Sequence, residues 1–171
     1  GIKTLELGMR YLRSNSLESS AADALGALAD ATRCTAHLAV RDGTDVVYLA
    51  KRQPPDAGAV RLVTEVGVRL PAHLTAVGQA LLSGMPDGEV RRLYSDDSLA
   101  DRTGHGPRSV TDLLANLASV RACGFAEERG LTTPGIGCIA APVYDGSGSP
   151  VAAIGITRID GELADDAHTD L

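Results

Sequence analysis

Tryptophan is absent, phenylalanine occurs once and tyrosine four times in 171 residues, so the chain lacks the aromatic platforms on which single-stranded nucleic acid stacks. Its core must be aliphatic. Basic residues are also few: 16 Lys plus Arg stand against 22 Asp plus Glu, a net charge of −6. Such a surface on average repels phosphate backbones, and nucleic acid is not expected as a direct partner. Cys34, Cys123 and Cys138 form an odd set without CxxC spacing; that excludes a secreted disulfide framework or a Cys-rich zinc module and fits a reducing cytoplasm. No apolar run approaches the roughly 18 residues of a membrane span, and no charged-then-apolar leader opens the chain. The expectation is a cytoplasmic protein with no membrane partner. GxGxxG, P-loop, HExxH, GxSxG and EF-hand patterns are all missing, which closes the short-motif routes to an enzyme.

What is present is the balance of a globular domain, 44% hydrophobic and 22% charged, long enough to bury roughly 70% of its unfolded surface without metals or disulfides. Ile2, Leu5, Met9 and Leu12 recur at helical spacing, followed by the turn-prone Asn15-Ser16. Ser16 can cap a second helix in which Leu17, Ala21, Leu25, Leu28 and Thr32 repeat, ending near Arg33. The period then changes. Thr35 to Val40 and Val46 to Lys51 read as a hairpin across Asp42-Gly43-Thr44-Asp45. After a Pro-rich loop, Val60, Leu62 and Thr64 alternate as a short strand. Helices are predicted over Thr75 to Ser83 and Pro86 to Tyr94, then an irregular stretch from Ser95 to Arg108. Ser109-Val110-Thr111-Asp112 is a capping-box pattern ahead of Leu113, Leu114, Leu117 and Val120, and Gly124 is a stop signal. Ile136 to Tyr144 and Pro150 to Arg158 flank a Gly-rich turn as two final strands. Hairpins at both ends with helices between them indicate an α+β fold, one sheet covered by helices, and not a βαβ array.

Two constellations carry chemistry. Pro71 and His73 precede the helix that begins near Thr75, whose first amides have no intrahelical partner and face outward with the positive end of the dipole. The small Ala76 and Val77 would let a carboxylate approach those amides, with Thr75 adding a hydroxyl; the alternative is that Thr75 only caps its own helix. In the final hairpin, alternation puts Ile136, Cys138 and Ala140 on one face and aligns Ala153, Gly155 and Thr157 with one another. Should Cys138 and Thr157 face the same side, they form the floor of a small-ligand pocket; otherwise Cys138 is an inert buried hydrophobe. A catalytic Cys138 and His73 pair needs contact and an electropositive setting. A zinc site from His73, Cys138 and Glu128 lacks the usual close ligand pairs. His37 sits on a strand, and the Glu127-Glu128-Arg129 run reads as a solvated strand end.

Taken together, several stretches resemble the effector-binding domain of IclR-type bacterial transcriptional regulators over nearly all of the chain. Leu70-Pro71-Ala72-His73-Leu74-Thr75-Ala76 and Gly135-Ile136-Gly137-Cys138-Ile139-Ala140-Ala141-Pro142 carry it most specifically, with Thr35 to Gly43, Val46 to Leu49 and Arg121 to Ala126 in support. The resemblance implies a GAF-like antiparallel sheet of about six strands flanked by helices and a pocket for a small metabolite, often a carboxylate. It implies assembly into a homodimer or homotetramer, no cofactor and no catalysis. DNA would be bound only through a winged helix-turn-helix domain preceding this one, since no recognition-helix pattern occurs here. Residues 1–14 would then be the linker helix and residues 15–171 the effector domain. Matching positions give a pocket of Leu62, Leu70, Ala76, Val77, Glu128, Ile136, Cys138, Gly155 and Thr157, to which the helix-start reading adds Thr75. Gly155 replaces a hydroxyl residue often found there, and an open Gly155 favours an effector larger or more apolar than glyoxylate or pyruvate. Arg129-Gly130-Leu131 departs from the acidic run of many members.

Overall fold

The computed structural model describes residues 1–3, 6, 8, 16–54, 64–95 and 99–159. Six strands form one antiparallel sheet in the order β3-β2-β1-β6-β5-β4. They are β1 (Thr35–Asp42), β2 (Asp45–Arg52), β3 (Arg69–Pro71), β4 (Ala126–Arg129), β5 (Ile136–Tyr144) and β6 (Pro150–Ile159). Gly43 takes φ +63° in the two-residue turn between β1 and β2, the left-handed first position that suits a tight hairpin. The first and last long strands are neighbours: Thr35 pairs with Thr157 and His37 with Gly155. That pairing joins the two hairpins into one surface.

Helices cover both faces. On the outer face lies α1 (Ser16–Thr32), which sinks Ala21, Leu25 and Ala29 against Ala36 and Leu38 of β1, Ile139 of β5 and Ile156 of β6. Its alanines let the helix approach the sheet closely. Thr32 ends it by donating its hydroxyl to the Leu28 carbonyl at 2.7 Å. On the inner face lies α2 (Ala76–Ser83), buried along its whole length, with α3 (Asp87–Leu93) and α4 (Val110–Cys123) packed around it. Leu82, Val90, Leu113 and Leu117 are fully enclosed there, each worth about 1.5–3 kcal/mol of apolar burial. A 3₁₀ turn, Ala72–Leu74, leads directly from β3 into α2. Gly78 makes that approach possible, because a Cβ there would lie 2.2 Å from the Ala72 carbonyl oxygen.

Most expected elements are found, with differences at the sheet edges. The capping box of α4 is complete: Ser109 Oγ accepts from the Asp112 amide while the Asp112 carboxylate accepts from the Ser109 amide, and Gly124 ends the helix at φ +84°. Residues 99–108 contain neither helix nor strand. The motif residues Arg69–Pro71 form a strand that the pattern does not announce, pairing with β2, and Glu127-Glu128-Arg129 belongs to a paired edge strand. Thr64 is not in a strand, and Val60 and Leu62 lie outside the described residues. Of the leading helix, Ile2, Lys3, Glu6 and Gly8 are helical and exposed; Leu5, Met9 and Leu12 also lie outside them.

Candidate functional site

The inner face of the sheet carries a cross-strand row of polar side chains. Glu128 pairs with Cys138, Cys138 with Thr157, and Thr157 with Thr35, and directly paired residues of antiparallel strands project to the same face. The alternation in the final hairpin therefore aligns as expected: Cys138 Sγ is 3.1 Å from Thr157 Oγ1. Glu128 is 3% exposed, so it is no solvated strand end; its Oε2 accepts the Leu131 amide at 3.0 Å. A second row, Ala126, Ala140, Gly155, His37 and Lys51, runs beside the first. An irregularity between Leu38 and Ala39 pairs Leu38 with Ala50 but Ala39 with Tyr48. The extra residue, Leu49, shifts the phase of β2 so that both Tyr48 and Lys51 reach the inner face.

Above these rows stands the start of α2. Thr75 is its N-cap, its hydroxyl oxygen accepting the Gly78 amide at 3.0 Å while its hydroxyl lies 3.4 Å from the Ala72 carbonyl. Capping thus occupies the Thr75 oxygen. The amides of Ala76 and Val77 donate to no group among the described residues, and both residues are buried. Val77 rests on the hairpin: a Cβ at Gly155 would meet Val77 Cγ1 at 3.1 Å, Ala140 Cβ at 2.9 Å and the Ile139 carbonyl at 2.8 Å. This corrects one expectation. Gly155 opens no space for a larger ligand; it lets Val77 close down on the sheet. Leu70 is buried in the inner core, and Ile136 is half-buried at the start of β5. Leu62 lies outside the described residues.

Electrostatics follow from burial. Desolvation pushes the Cys138 thiol well up, with the Glu128 charge adding to it, yet Cys138 keeps accessible surface. The Tyr48 hydroxyl is pushed up by burial and then by Cys138 and Glu128. His37 is driven down to about 3 by burial and then by Lys51, so it is neutral near pH 7. Its Nε2 lies 3.3 Å from Thr64 Oγ1 and its ring meets Tyr48 edge-on. His73 Nε2 donates to the Ala100 carbonyl at 2.7 Å and its ring meets Tyr94. Burial lowers its pKa against that bond. A Cys138 and His73 nucleophile is not assembled: His73 bonds the Ala100 carbonyl and Cys138 the Thr157 hydroxyl, and the thiol is shifted away from thiolate, opposite to activation. Among the described residues no cluster of three His, Cys, Asp or Glu could hold a metal, so the His73, Cys138 and Glu128 set does not come together. Tyr48, His37 and Thr35 join or border the site without a signal in local spacing, because the long-range β1–β6 pairing and the bulge bring them there, while Gln79 of α2 donates to the His73 carbonyl at 3.0 Å.

A polar row lies beneath the start of α2 in an α+β domain whose single antiparallel sheet is layered by helices on both faces. Comparison with solved structures places it among transcriptional regulators. A regulator from Rhodococcus sp. RHA1 aligns at TM-score 0.89 and 31% identity over 99% of this chain and 69% of that one. The Agobacterium tumefaciens repressor BlcR aligns at TM-score 0.78 and 32% identity, over 96% of this chain and 64% of that one. The inducer-binding domain of PobR from Acinetobacter, solved as a double mutant with 3-hydroxybenzoic acid, aligns at TM-score 0.78 and 26% identity over 85% and 84% of the two chains. The family model for the C-terminal domain of the bacterial transcriptional regulator IclR matches residues 9–170, and the chain belongs to that family. Among curated relatives, the Pca regulon regulatory protein of Pseudomonas putida is 34% identical over 91% of this chain and 53% of its own length. KdgR of Dickeya chrysanthemi is 33% identical over 91% and 50%. The chain spans about half the length of these relatives. Among the described residues no helix is long and apolar enough to cross a membrane.

Proposed function

We propose that the effector is a small carboxylic acid held between the first turn of α2 and the Glu128, Cys138 and Thr157 row. One observation carries this reading: Cys138 keeps accessible surface although both its cross-strand partners on the inner face, Glu128 and Thr157, are buried, with Cys138 Sγ 3.1 Å from Thr157 Oγ1. Surface left open in the middle of a buried row fits a hollow beside it. The free amides of Ala76 and Val77 supply donors and a positive dipole end for a carboxylate. Glu128 and Thr157 supply acceptors, so the far side of the acid carries a hydroxyl or another donor. Leu62, Leu70, Ile136 and the Val77 side chain form apolar walls, while Gly155 and Thr75 shape the site, one by close approach and one by capping. The 3-hydroxybenzoic acid bound in the PobR domain is an acid of this kind.

In this reading the domain is a cytoplasmic homodimer or homotetramer without cofactor or catalytic activity. Residues 1–14 link it to a DNA-binding domain, and the remaining residues, through 171, sense the metabolite. An effector held with different affinity in two arrangements of the oligomer shifts the attached DNA-binding domains.

The test is thermal unfolding of ligand-free protein against a panel of two- to eight-carbon acids and their neutral amides. An acid present at about 100 times its Kd adds about 2.7 kcal/mol of stability, and its amide adds little. No melting shift with any acid, or equal shifts with acids and amides, would sink the carboxylate reading.

A further inference from the structure

An open cleft of about 450 Å³ runs along the free edge of the sheet, between β4, the C-terminal half of α4 and residues 105–107. Its lining includes Asn116 and Ser119 of α4 on the outside and Gln79 of α2 and Glu128 of β4 at depth. Those two inner residues are 4% and 3% exposed. Glu128 is also the cross-strand partner of Cys138 and raises the pKa of that thiol. One side chain therefore belongs to the wall of the cleft and to the polar row of the effector site.

We propose that this cleft is the way into the effector hollow, with the turn after β4 as its gate. The inference rests on the reading that a hollow lies beside Cys138. Within the turn the Gly130 amide donates to the Ile136 carbonyl at 2.8 Å and the Ile136 amide to the Thr133 carbonyl at 3.2 Å, while two bonds tie Leu131 to the groups around the turn. Glu128 Oε2 accepts the Leu131 amide at 3.0 Å, and Thr103 in the preceding loop donates its hydroxyl to the Leu131 carbonyl at 3.4 Å, near the outer limit for such a bond. The turn is bounded by Gly130 at φ +68° and Gly135 at φ +77°, positions at which glycine makes the backbone easy to re-aim. Opening it would swing Leu131 off the Glu128 carboxylate and join cleft to hollow, leaving β5, β6 and α2 in place. A small acid would pass Glu128 before reaching the Ala76 and Val77 amides, so Glu128 meets the ligand's donor on the way in as well as in the bound state.

Thiol reactivity tests this without knowing the effector. In a Cys123→Ser background, the protein is pulsed with methyl methanethiosulfonate, and modification of Cys34 and Cys138 is followed separately by peptide mass spectrometry. Asn116→Trp and Ser119→Trp, both at exposed positions of α4, fill the cleft and should slow Cys138 severalfold. Thr103→Val, which cuts the gate's bond to the loop, should quicken it severalfold. Cys34, buried in the outer layer, should not change. Cys138 rates that neither tryptophan variant moves, or that rise and fall with Cys34, overturn the proposal; the tryptophan variants carry the test even if Thr103→Val fails to fold. An acid that raises the melting temperature while those variants leave Cys138 unaffected would preserve the sensing role and remove the doorway.

Discussion

At His37 burial outweighs the ease with which an imidazole takes a proton. The ring titrates near 3 in the fold against 6.5 in the unfolded chain, so between those values the unfolded state binds a proton that the native state refuses. Stability then rises with pH across that window, and it falls as the solution is acidified below about 6.5. From pH 7 to about pH 4.5 this one group removes about 2–3 kcal/mol. Urea unfolding at the two pH values should show that loss, with a smaller loss in His37→Asn. His73, also lowered by burial, contributes with the same sign and remains in the variant, so the difference between the two proteins isolates His37. Equal acid sensitivity in both would mean that the native His37 is protonated far more readily than its burial implies. Gly155 is governed by sterics instead. Gly155→Ser forces a Cβ against the Ile139 carbonyl, Ala140 and Val77, and the overpacking should cost about 1–3 kcal/mol in urea unfolding. A neutral substitution would show that Val77 and α2 can lift off the sheet at little cost, and with them the amides offered to the acid.

Helix ends were legible in the sequence because their signals are local. Ser109 and Asp112 announce the start of α4 and Gly124 its end, and the structure shows each bond that the pattern implies. Ser109→Ala should therefore destabilise the domain by about 1 kcal/mol, readable as a lower urea midpoint with an unchanged slope. A changed slope would instead mean that the start of α4 is unformed in the variant. Long strands were legible for the same reason, from alternation and turn residues. The edge strands were not. β3 is three residues with a proline at its end, paired on one side to β2, and proline fits there because an edge position asks for no donor. β4 places two glutamates in a row, one paired with the exposed Arg129 and the other buried on Leu131. No pattern in four residues tells the covered carboxylate from the solvated one. The candidate site divides in the same way. Cys138 and Thr157 follow from periodicity within one hairpin, whereas His37 and Tyr48 arrive through a pairing between opposite ends of the chain.

That pairing decides how the molecule holds together as a whole. β1 and β6 are central neighbours, so the layer under α1 and the layer under α2 share the same strands, one on each face. Residues alternating along β6 serve both layers: Ile156 in the outer, Ala153 in the inner. Neither layer can lose its packing while the other keeps a complete sheet, and the contacts that close the sheet are distant in sequence, which makes folding slow and cooperative. A single unfolding transition is the expected result, with helix content, Cys34 and Cys138 all reporting one midpoint in urea. Cys34 belongs to the outer cluster and Cys138 packs against the inner one, so the two thiols act as separate probes of the two faces. If Cys138 became reactive at lower urea than Cys34, with helix content still intact, the inner layer would open by itself. The effector site would then lie on a face loose enough to be reordered by its ligand, and acid binding would move the Cys138 midpoint while leaving that of Cys34 in place.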